Sequence, residues 1–148
     1  MSSVLADRAD QIVARFQSLS SWEDRYKLLI DLGRQAPELA KEFKTEENKV
    51  RGCQSQVWMR AWLSEDQKVL FEADSDALLV KGLVSILVQV YSNTDPSDIL
   101  QFPPEFIKQL GFDSNLSPSR TNGLHAMLKQ IRNYAIAFHY QLHQKKSH

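Results

Sequence analysis

The sequence predicts an α+β fold in which helices pack against a small antiparallel sheet. Three observations predict it: helical periodicity of apolar residues near both ends of the chain, two alternating segments in the middle, and a strongly apolar helical segment directly after them. Of the 148 residues, 43% are hydrophobic and 24% are charged, as in an average globular protein. We therefore expect residues 1–148 to form a single domain with its own core.

The first third of the chain predicts two amphipathic helices, a turn and a loop. Apolar side chains recur at helical spacing, and cap residues, glycine and proline mark the boundaries of the segments. The predicted segments are a helix over 4–18, a helix from a Ser20–Glu23 capping box to Gly33, a short helical turn over 37–42 and a polar loop over 44–55.

The middle of the chain predicts an antiparallel hairpin. From Gln56 the side chains alternate between two faces, and aromatic and β-branched residues are frequent. The polar segment 64–67 supplies the turn, and a second alternating run begins at Val69. Trp58 and Trp62 fall on the same face, where we expect core or interface residues and not a platform for stacking bases.

The second half of the chain predicts further helices. Apolar periodicity continues, with aspartate or proline at the starts and glycine at one end. The predicted helices cover 77–91, 96–101, a segment from Pro103 to Gly111, and 118–144. Asp74 and Asp76 are expected to cap the first of these, and a catalytic pair of carboxylates is the less favoured alternative.

Charge and composition exclude several classes of protein. The 18 basic and 18 acidic residues give a net charge of zero, so the concentrated basic surface that nucleic-acid binding requires is not expected. The longest apolar stretch, 77–91, is too short and too interrupted to cross a bilayer, and the N-terminus does not resemble a secretory signal. We expect a cytoplasmic protein with neither a membrane nor a nucleic acid as partner, because a single cysteine suits a reducing compartment.

Cys53, the only cysteine of the sequence, is the main candidate for chemistry. It follows Gly52 in the polar loop, and Lys49 and Arg51 lie close to it in sequence. Nearby cations and partial exposure favour the thiolate, which is the reactive form of the side chain. A small buried hydrophobic residue is the alternative for a lone cysteine. The loop position and the conformational freedom of glycine favour an accessible nucleophile.

The histidines provide weaker candidates. All four lie on or after the last predicted helix: His125, His139, His143 and His148. A cysteine hydrolase needs a histidine base, so that class requires the fold to bring His125 next to Cys53. His139 and His143 have the i,i+4 spacing of a metal-binding pair, but a solvated helix end is the favoured interpretation and no metal site is expected.

The segment Asn48–Trp58, with its Gly-Cys-Gln-Ser-Gln-Val-Trp run, resembles the SufE family of sulfur-acceptor proteins. Further segments agree with the family in the same order: Trp22–Tyr26 with Leu32 and Gly33, Ala73–Asp76, Val80–Leu83, and Ser119–Leu124. The Gln-Ser-Gln after the cysteine is more similar to the SufE branch than to the paralogous CsdE branch. The implied fold is a small curved antiparallel sheet with helices on one side, similar to the scaffold IscU.

The resemblance implies a persulfide relay. A PLP-dependent cysteine desulfurase of the SufS type would pass sulfur to Cys53, which would carry it to an iron–sulfur scaffold complex of the SufBCD type. Cys53 would be the acceptor, with Arg51, Gly52, Asp74 and Arg120 as supporting residues. The chain would bind no cofactor of its own, since PLP belongs to the desulfurase, and it would be a monomer or a homodimer.

The resemblance also implies a mobile acceptor. In the family the cysteine packs in a shielded cavity, and the loop moves outward to meet the partner. Arg120 is expected near that loop and Asp74 at its edge. The alternative is a docking module that activates its partner without carrying sulfur, with Cys53 packed in the core. The C-terminal extension, 139–148, runs past the end of many relatives, and no role is assigned to it.

Overall fold

The helices and strands of this protein are described by a computed structural model for residues 3–146. These residues form seven helices and a two-stranded antiparallel sheet. In chain order the elements are α1 (Val4–Gln17), α2 (Trp22–Gln35), a 3-10 turn (Lys41–Phe43), β1 (Val57–Leu63), β2 (Val69–Ser75), α3 (Leu78–Tyr91), α4 (Pro96–Leu100), α5 (Glu105–Leu110), α6 (Phe112–Asn115) and α7 (Pro118–Lys146). The predicted α+β class is confirmed.

The sheet is the predicted hairpin. β1 and β2 pair antiparallel, from Val57 opposite Ser75 to Leu63 opposite Val69. The predicted turn at 64–67 closes it. Because one face of this sheet meets helices, side chains on that face, such as those of Val57 and Val69, are fully buried.

Helix α3 is the centre of the core. It packs against α2, β2, α1 and α7, and its apolar side chains point in nearly every direction, as the sequence indicated. The side chains with an exposed fraction of 2% or less include Leu83, Val84, Ile86, Leu87 and Val90. Since α3 packs against both β2 and α7, it positions the sheet relative to the helix that meets the Cys53 loop.

Two glycines let α2 and α3 cross at close range. A Cβ atom on Gly82 would lie 2.1 Å from the carbonyl oxygen of Leu29, and one on Gly33 would lie 2.5 Å from that of Leu78. The prediction that α2 ends at Gly33 is wrong, because the helix continues to Gln35. Gly33 serves a packing contact between helices and not a C-terminal turn.

The start of α2 differs from the sequence prediction by one residue. The N-cap is Ser21, whose hydroxyl accepts a hydrogen bond from the Asp24 N–H at 3.1 Å. The predicted Ser20–Glu23 capping box has the same spacing displaced by one position. Either of the two adjacent serines fits the sequence pattern of an N-cap. In the structure Ser21 has the extended backbone of an N-cap residue.

Two short segments were also predicted incorrectly. The helical turn expected over 37–42 is instead a 3-10 turn at Lys41–Phe43. The chain before it is held by a tertiary contact, since the Leu39 N–H donates to the Asp74 carboxylate at 2.9 Å. Gly111 ends α5 in the left-handed conformation, with a φ of +78°, and α6, which was not predicted, follows it directly.

Helix α7 contains most of the C-terminal extension. It runs from Pro118 to Lys146, and within 118–144 its last fully buried side chain is that of Ala135. Beyond that point the helix presents side chains to solvent, including Tyr140 with an exposed fraction of 64%. Among residues 3–146 no helix is long and apolar enough to cross a membrane.

Candidate functional site

Two residues that flank Cys53 in the loop over 44–56 are held by hydrogen bonds. They are Val50 and Gln56, and we call them the shoulders of the loop. On the first shoulder the Val50 N–H donates to the Val57 carbonyl at 2.8 Å. On the second, the Gln56 N–H donates to the Asp76 carboxylate at 3.0 Å, and the Asp76 N–H returns a bond to the Gln56 carbonyl at 3.2 Å. Within the described chain, residues 51–55 form no main-chain hydrogen bond to any residue outside the loop. We call these five residues the loop tip.

The side chain of Cys53 is half-buried against the first turns of α7. Its Sγ lies 3.5 Å from the Gly123 carbonyl oxygen, to which the thiol donates a weak hydrogen bond. A Cβ atom on Gly123 would lie 3.5 Å from the same sulfur. Gly52 turns the chain into this position with a φ of +93°, and its Cα faces the side chain of Ala126. The left-handed turn at Gly52 therefore brings the thiol onto α7.

The thiol borders a cavity of about 210 Å³. Its walls come from the loop tip, from α3 and from α7. The lining residues are Cys53, Gln54, Ser55, Val80, Leu83, Ser117, Ser119, Arg120, Gly123 and Met127. Apolar side chains of the two helices and hydroxyl, amide and guanidinium groups therefore share one space, which has room for an additional sulfur atom on the cysteine.

The thiol of Cys53 is less acidic than the sequence suggested. Burial raises its pKa, and no charged group opposes that effect. Lys49 is occupied by Glu46, at 2.7 Å between Nζ and Oε1, and Arg51 is exposed. The hydrogen bond and charge of Lys49, with a smaller effect of Arg51, lower the pKa of Glu46. The prediction that these two cations favour a Cys53 thiolate is wrong for this conformation.

Alkylation of Cys53 by iodoacetamide should follow this raised pKa. We expect the reaction of the folded protein to have its pH midpoint above that of the same chain unfolded in urea, because only the thiolate reacts. The measurement is the rate of mass gain per protein across the neutral to alkaline range. The unfolded chain is the matched control, since it carries the same single thiol. A folded-state midpoint at or below the unfolded one would contradict the expectation.

Arg120 contributes the guanidinium group of the Cys53 cavity. It is in the first turn of α7, exposed, and it lines the Cys53 cavity. Its guanidinium group has no ion-pair partner within residues 3–146. An anionic group that enters the cavity or forms on Cys53 would therefore find an uncommitted cation with five N–H donors.

Asp74 lies outside this lining and is fully buried in β2. Its carboxylate accepts the N–H groups of Leu39 at 2.9 Å and Ser75 at 2.8 Å. It also pairs with Lys44 at 3.4 Å and with Lys81 at 3.3 Å. Burial raises its pKa, but the two N–H groups and the Lys81 ammonium outweigh burial and lower it overall. Asp74 thus connects the start of the cysteine loop, β2 and α3.

The expected role of Asp74 as a helix cap is wrong. The N-cap of α3 is Ala77, which forms no side-chain hydrogen bond, and Asp76 binds Gln56 on the loop shoulder. The carboxylate of Asp74 instead lies in the interior, where four surrounding donors offset the cost of burying its charge. Since each carboxylate has its own set of partners, the two do not act as a catalytic pair.

The three histidines within residues 3–146 form neither a pair with Cys53 nor part of a cluster of potential metal ligands. His125 Nε2 lies 3.1 Å from Asp113 Oδ1 on the exposed side of α7. It follows Gly123 by two residues, or about 200° around a helix, so it points away from Cys53. The rings of His139 and His143 are 4.1 Å apart, but residues 3–146 contain no group of three or more potential metal ligands. His148 lies outside the described residues.

Several residues of the cavity were not identified as site residues from the sequence. Gly123 is inside a helix, where glycine is costly, and this is the signal that a close approach occurs there. Val80, Leu83 and Met127 gave no such signal, because their positions match the apolar periodicity of any buried helix. Which buried apolar residues face a reactive group depends on tertiary packing, and the periodicity of the sequence does not specify it.

The fold and the site together define an α+β protein with a single thiol held over a small cavity. The family model for SufE, described as an Fe–S metabolism associated domain, matches residues 10–135. The chain belongs to the SufE family, as the sequence motifs predicted. Membership places it in iron–sulfur metabolism and sulfur transfer.

Relatives agree with this assignment, and a solved structure has the same fold. An uncharacterized SufE-like protein of Rhizobium etli is 46% identical over 130 residues, which cover 85% of this chain and 88% of the relative. One of Synechocystis sp. is 40% identical over 137 residues, covering 93% and 86%. SufE-like protein 1, chloroplastic/mitochondrial, of Arabidopsis thaliana is 43% identical over 132 residues, 89% of this chain but 36% of the plant protein. The solution structure of a hypothetical protein from Thermus thermophilus has the same fold, with a TM-score of 0.72 at 24% identity, covering 88% of this chain and 95% of that one.

Proposed function

We propose that this chain accepts sulfur on Cys53, as a persulfide, from a PLP-dependent cysteine desulfurase of the SufS type. It stimulates the desulfurase by removing this sulfur and delivers it to an iron–sulfur scaffold complex of the SufBCD type. The observation that carries the proposal is the position of the single thiol, at an unanchored loop tip and beside a cavity with room for a second sulfur. Family membership supports the same chemistry.

The transfer is a thiol exchange at sulfur. The Cys53 thiolate attacks the terminal sulfur of the donor persulfide, a new S–S bond forms on Cys53, and the S–S bond of the donor breaks. The electron pair of the broken bond leaves on the donor cysteine as its thiolate, and the proton lost by Cys53 restores the balance of charge. No net oxidation occurs, so the step needs no metal or cofactor on this chain.

The structure favours a protected thiol at rest and a reactive one when the loop tip moves out. Burial keeps the pKa of Cys53 raised and the sulfur protonated in the cavity. One weak hydrogen bond, to the Gly123 carbonyl, holds the sulfur there. Exposure at a partner's surface removes the burial that raises the pKa, and the thiolate forms where the donor sulfur is. The returning persulfide then lies beside the cation of Arg120.

The other supporting residues act on the loop and not on sulfur. Gly52 supplies the left-handed turn immediately before Cys53, which a side chain would strain. Asp74 fixes the root of the loop through Lys44, and Arg51 presents an exposed charge for docking. PLP belongs to the desulfurase. A reducing compartment such as the cytoplasm suits the reaction, because it keeps the acceptor thiol free.

The proposal is tested by intact-protein mass spectrometry without reductant. We expect the chain, incubated with a SufS-type desulfurase and free cysteine, to gain the mass of one or more sulfur atoms, and the gain to disappear with reductant. Samples that lack the desulfurase should gain nothing. Absence of a gain with a desulfurase that loads SufE relatives in parallel would overturn the proposal.

A further inference from the structure

A second cavity, of about 290 Å³, lies at the open edge of the sheet. It is bounded by the end of α2, by the extended segment 36–39, by β2 and by the middle of α3. Its apolar surface includes the side chains of Leu32, Phe71, Val84 and Val88. It shares no lining residue with the Cys53 cavity, so the sulfur-transfer site does not account for it. We call it the edge cleft.

The hydrogen-bond pattern of the hairpin shows which groups of β2 face this cleft. The bond from the Asp76 N–H to the Gln56 carbonyl and the bond from the Ser64 N–H to the Lys68 carbonyl lie at opposite ends of the ladder. Bonded pairs therefore alternate from one end to the other, and the intervening residues direct their main-chain groups away from β1. On β2 the outward residues are Val69, Phe71, Ala73 and Ser75.

Most of this outer edge is already paired, and one position is not. The Val69 N–H donates to the Thr94 carbonyl at 2.8 Å, and the Phe71 N–H donates to the Ser92 hydroxyl at 3.0 Å. Ala73 is the next outward residue, and neither its N–H nor its carbonyl has a hydrogen-bond partner in the described part of the chain. A donor and an acceptor of one strand residue thus lie free beside an apolar cavity.

We propose that the edge cleft binds an extended peptide segment of a partner protein by strand addition. The peptide residue opposite Ala73 exchanges both main-chain hydrogen bonds with it, as in an antiparallel pair. Paired residues direct their side chains to the same face, and the Ala73 side chain lines the cleft. The side chain of that peptide residue therefore enters the cleft, which has room for one large aliphatic or aromatic group.

Charge specifies the flanks of the peptide. The two charged residues that line the cleft, Glu38 and Glu72, are both acidic and exposed. Glu72 also pairs with Arg60 at 2.8 Å, whereas Glu38 has no ion-pair partner among the side chains of residues 3–144. Peptide residues on either side of the inserted one point to the face of Glu72, so lysine or arginine there would be complementary. The occupant is an extended segment with a basic–apolar–basic pattern.

The test is a titration of the full ¹⁵N-labelled chain with an end-capped pentapeptide, Val-Lys-Leu-Lys-Val, followed by NMR. We expect the Ala73 amide to shift downfield and to gain protection from exchange, with a dissociation constant below about 1 mM. A peptide that is N-methylated at leucine lacks the donor for the Ala73 carbonyl and should bind at least about tenfold more weakly.

Two proline variants separate strand addition from general edge effects. Ala73→Pro removes the outward N–H that faces the cleft, and Ala61→Pro removes an outward N–H on β1, at the other edge of the sheet. We expect at least about tenfold weaker binding in the first variant and unchanged binding in the second.

If Ala73→Pro does not fold, strand addition is tested on the native protein alone, by comparing the binding of the N-methylated and the unmethylated peptide. Equal binding of both peptides would mean that an apolar side chain binds without strand pairing, and it would overturn the proposal. So would the absence of any change at Ala73 with the peptide at millimolar concentration.

Discussion

Replacing Cys53 with alanine is expected to abolish sulfur acceptance completely and leave the fold intact. The sequence has no other cysteine, so no second thiol can take the sulfur. The lost sulfur atom is half-buried and borders a cavity, so the free energy of unfolding should change by less than about 1 kcal/mol. The measurement is the mass gain with desulfurase and cysteine, together with a urea unfolding curve.

The same variant separates the persulfide carrier from a docking module. A carrier stimulates the desulfurase by removing its sulfur, so Cys53→Ala should give no stimulation. A module that activates by contact alone would retain it, and retained stimulation would contradict the carrier role. Ser119→Ala is the matched control, because Ser119 lines the same cavity but contributes no thiol, and it should accept sulfur as the native chain does.

Replacing Gly82 with alanine should lower the free energy of unfolding by about 3 kcal/mol or more. The intrinsic helix propensity of alanine would favour the change by about 1 kcal/mol. Sterics outweigh it, because the new Cβ would lie 2.1 Å from the Leu29 carbonyl oxygen and 2.8 Å from its carbon. These are backbone atoms that cannot rotate aside, so α2 and α3 must separate along their contact. Urea unfolding followed by circular dichroism measures the loss.

Gly123→Ala is the matched control for this effect. It makes the same substitution inside α7, where the nearest atom to the new Cβ would be the Cys53 sulfur at 3.5 Å, an ordinary contact. We expect the stability of this variant to equal or exceed that of the native chain. Similar losses in both variants would show that helical glycine as such, and not the α2–α3 crossing, determines the effect.

Local chemistry made much of the fold predictable. The hairpin follows from alternation, and the start of α4 follows from Asp95, whose carboxylate accepts the Ser97 N–H as a cap residue should. Gly111 ends α5 as predicted. The misassigned elements depend on distant partners: Gly33 packs on α3, and the segment before the 3-10 turn bonds to Asp74. A single sequence does not reveal such contacts.

The site was predictable to the extent that its chemistry is local. Cys53 was identified because a thiol after glycine in a polar loop is unusual, and Arg120 only because the family motif contains it. The acidity of the thiol was predicted in the wrong direction. Sequence proximity placed Lys49 and Arg51 next to Cys53, whereas the folded loop pairs Lys49 with Glu46, leaves Arg51 exposed and buries half of the cysteine side chain.

The anchored shoulders of the cysteine loop set a limit on how far sulfur can travel. Val50 and Gln56 are tied to the sheet, and Cys53 is three residues from each of them. Three fully extended residues span about 10 Å, so the Cys53 Cα cannot move farther than that from either anchor while the core stays folded. The donor sulfur must therefore be brought to the mouth of the cavity. A desulfurase that holds its persulfide at the end of a deep channel can transfer sulfur to Cys53 only if the end of this protein that carries the loop tip inserts into the channel.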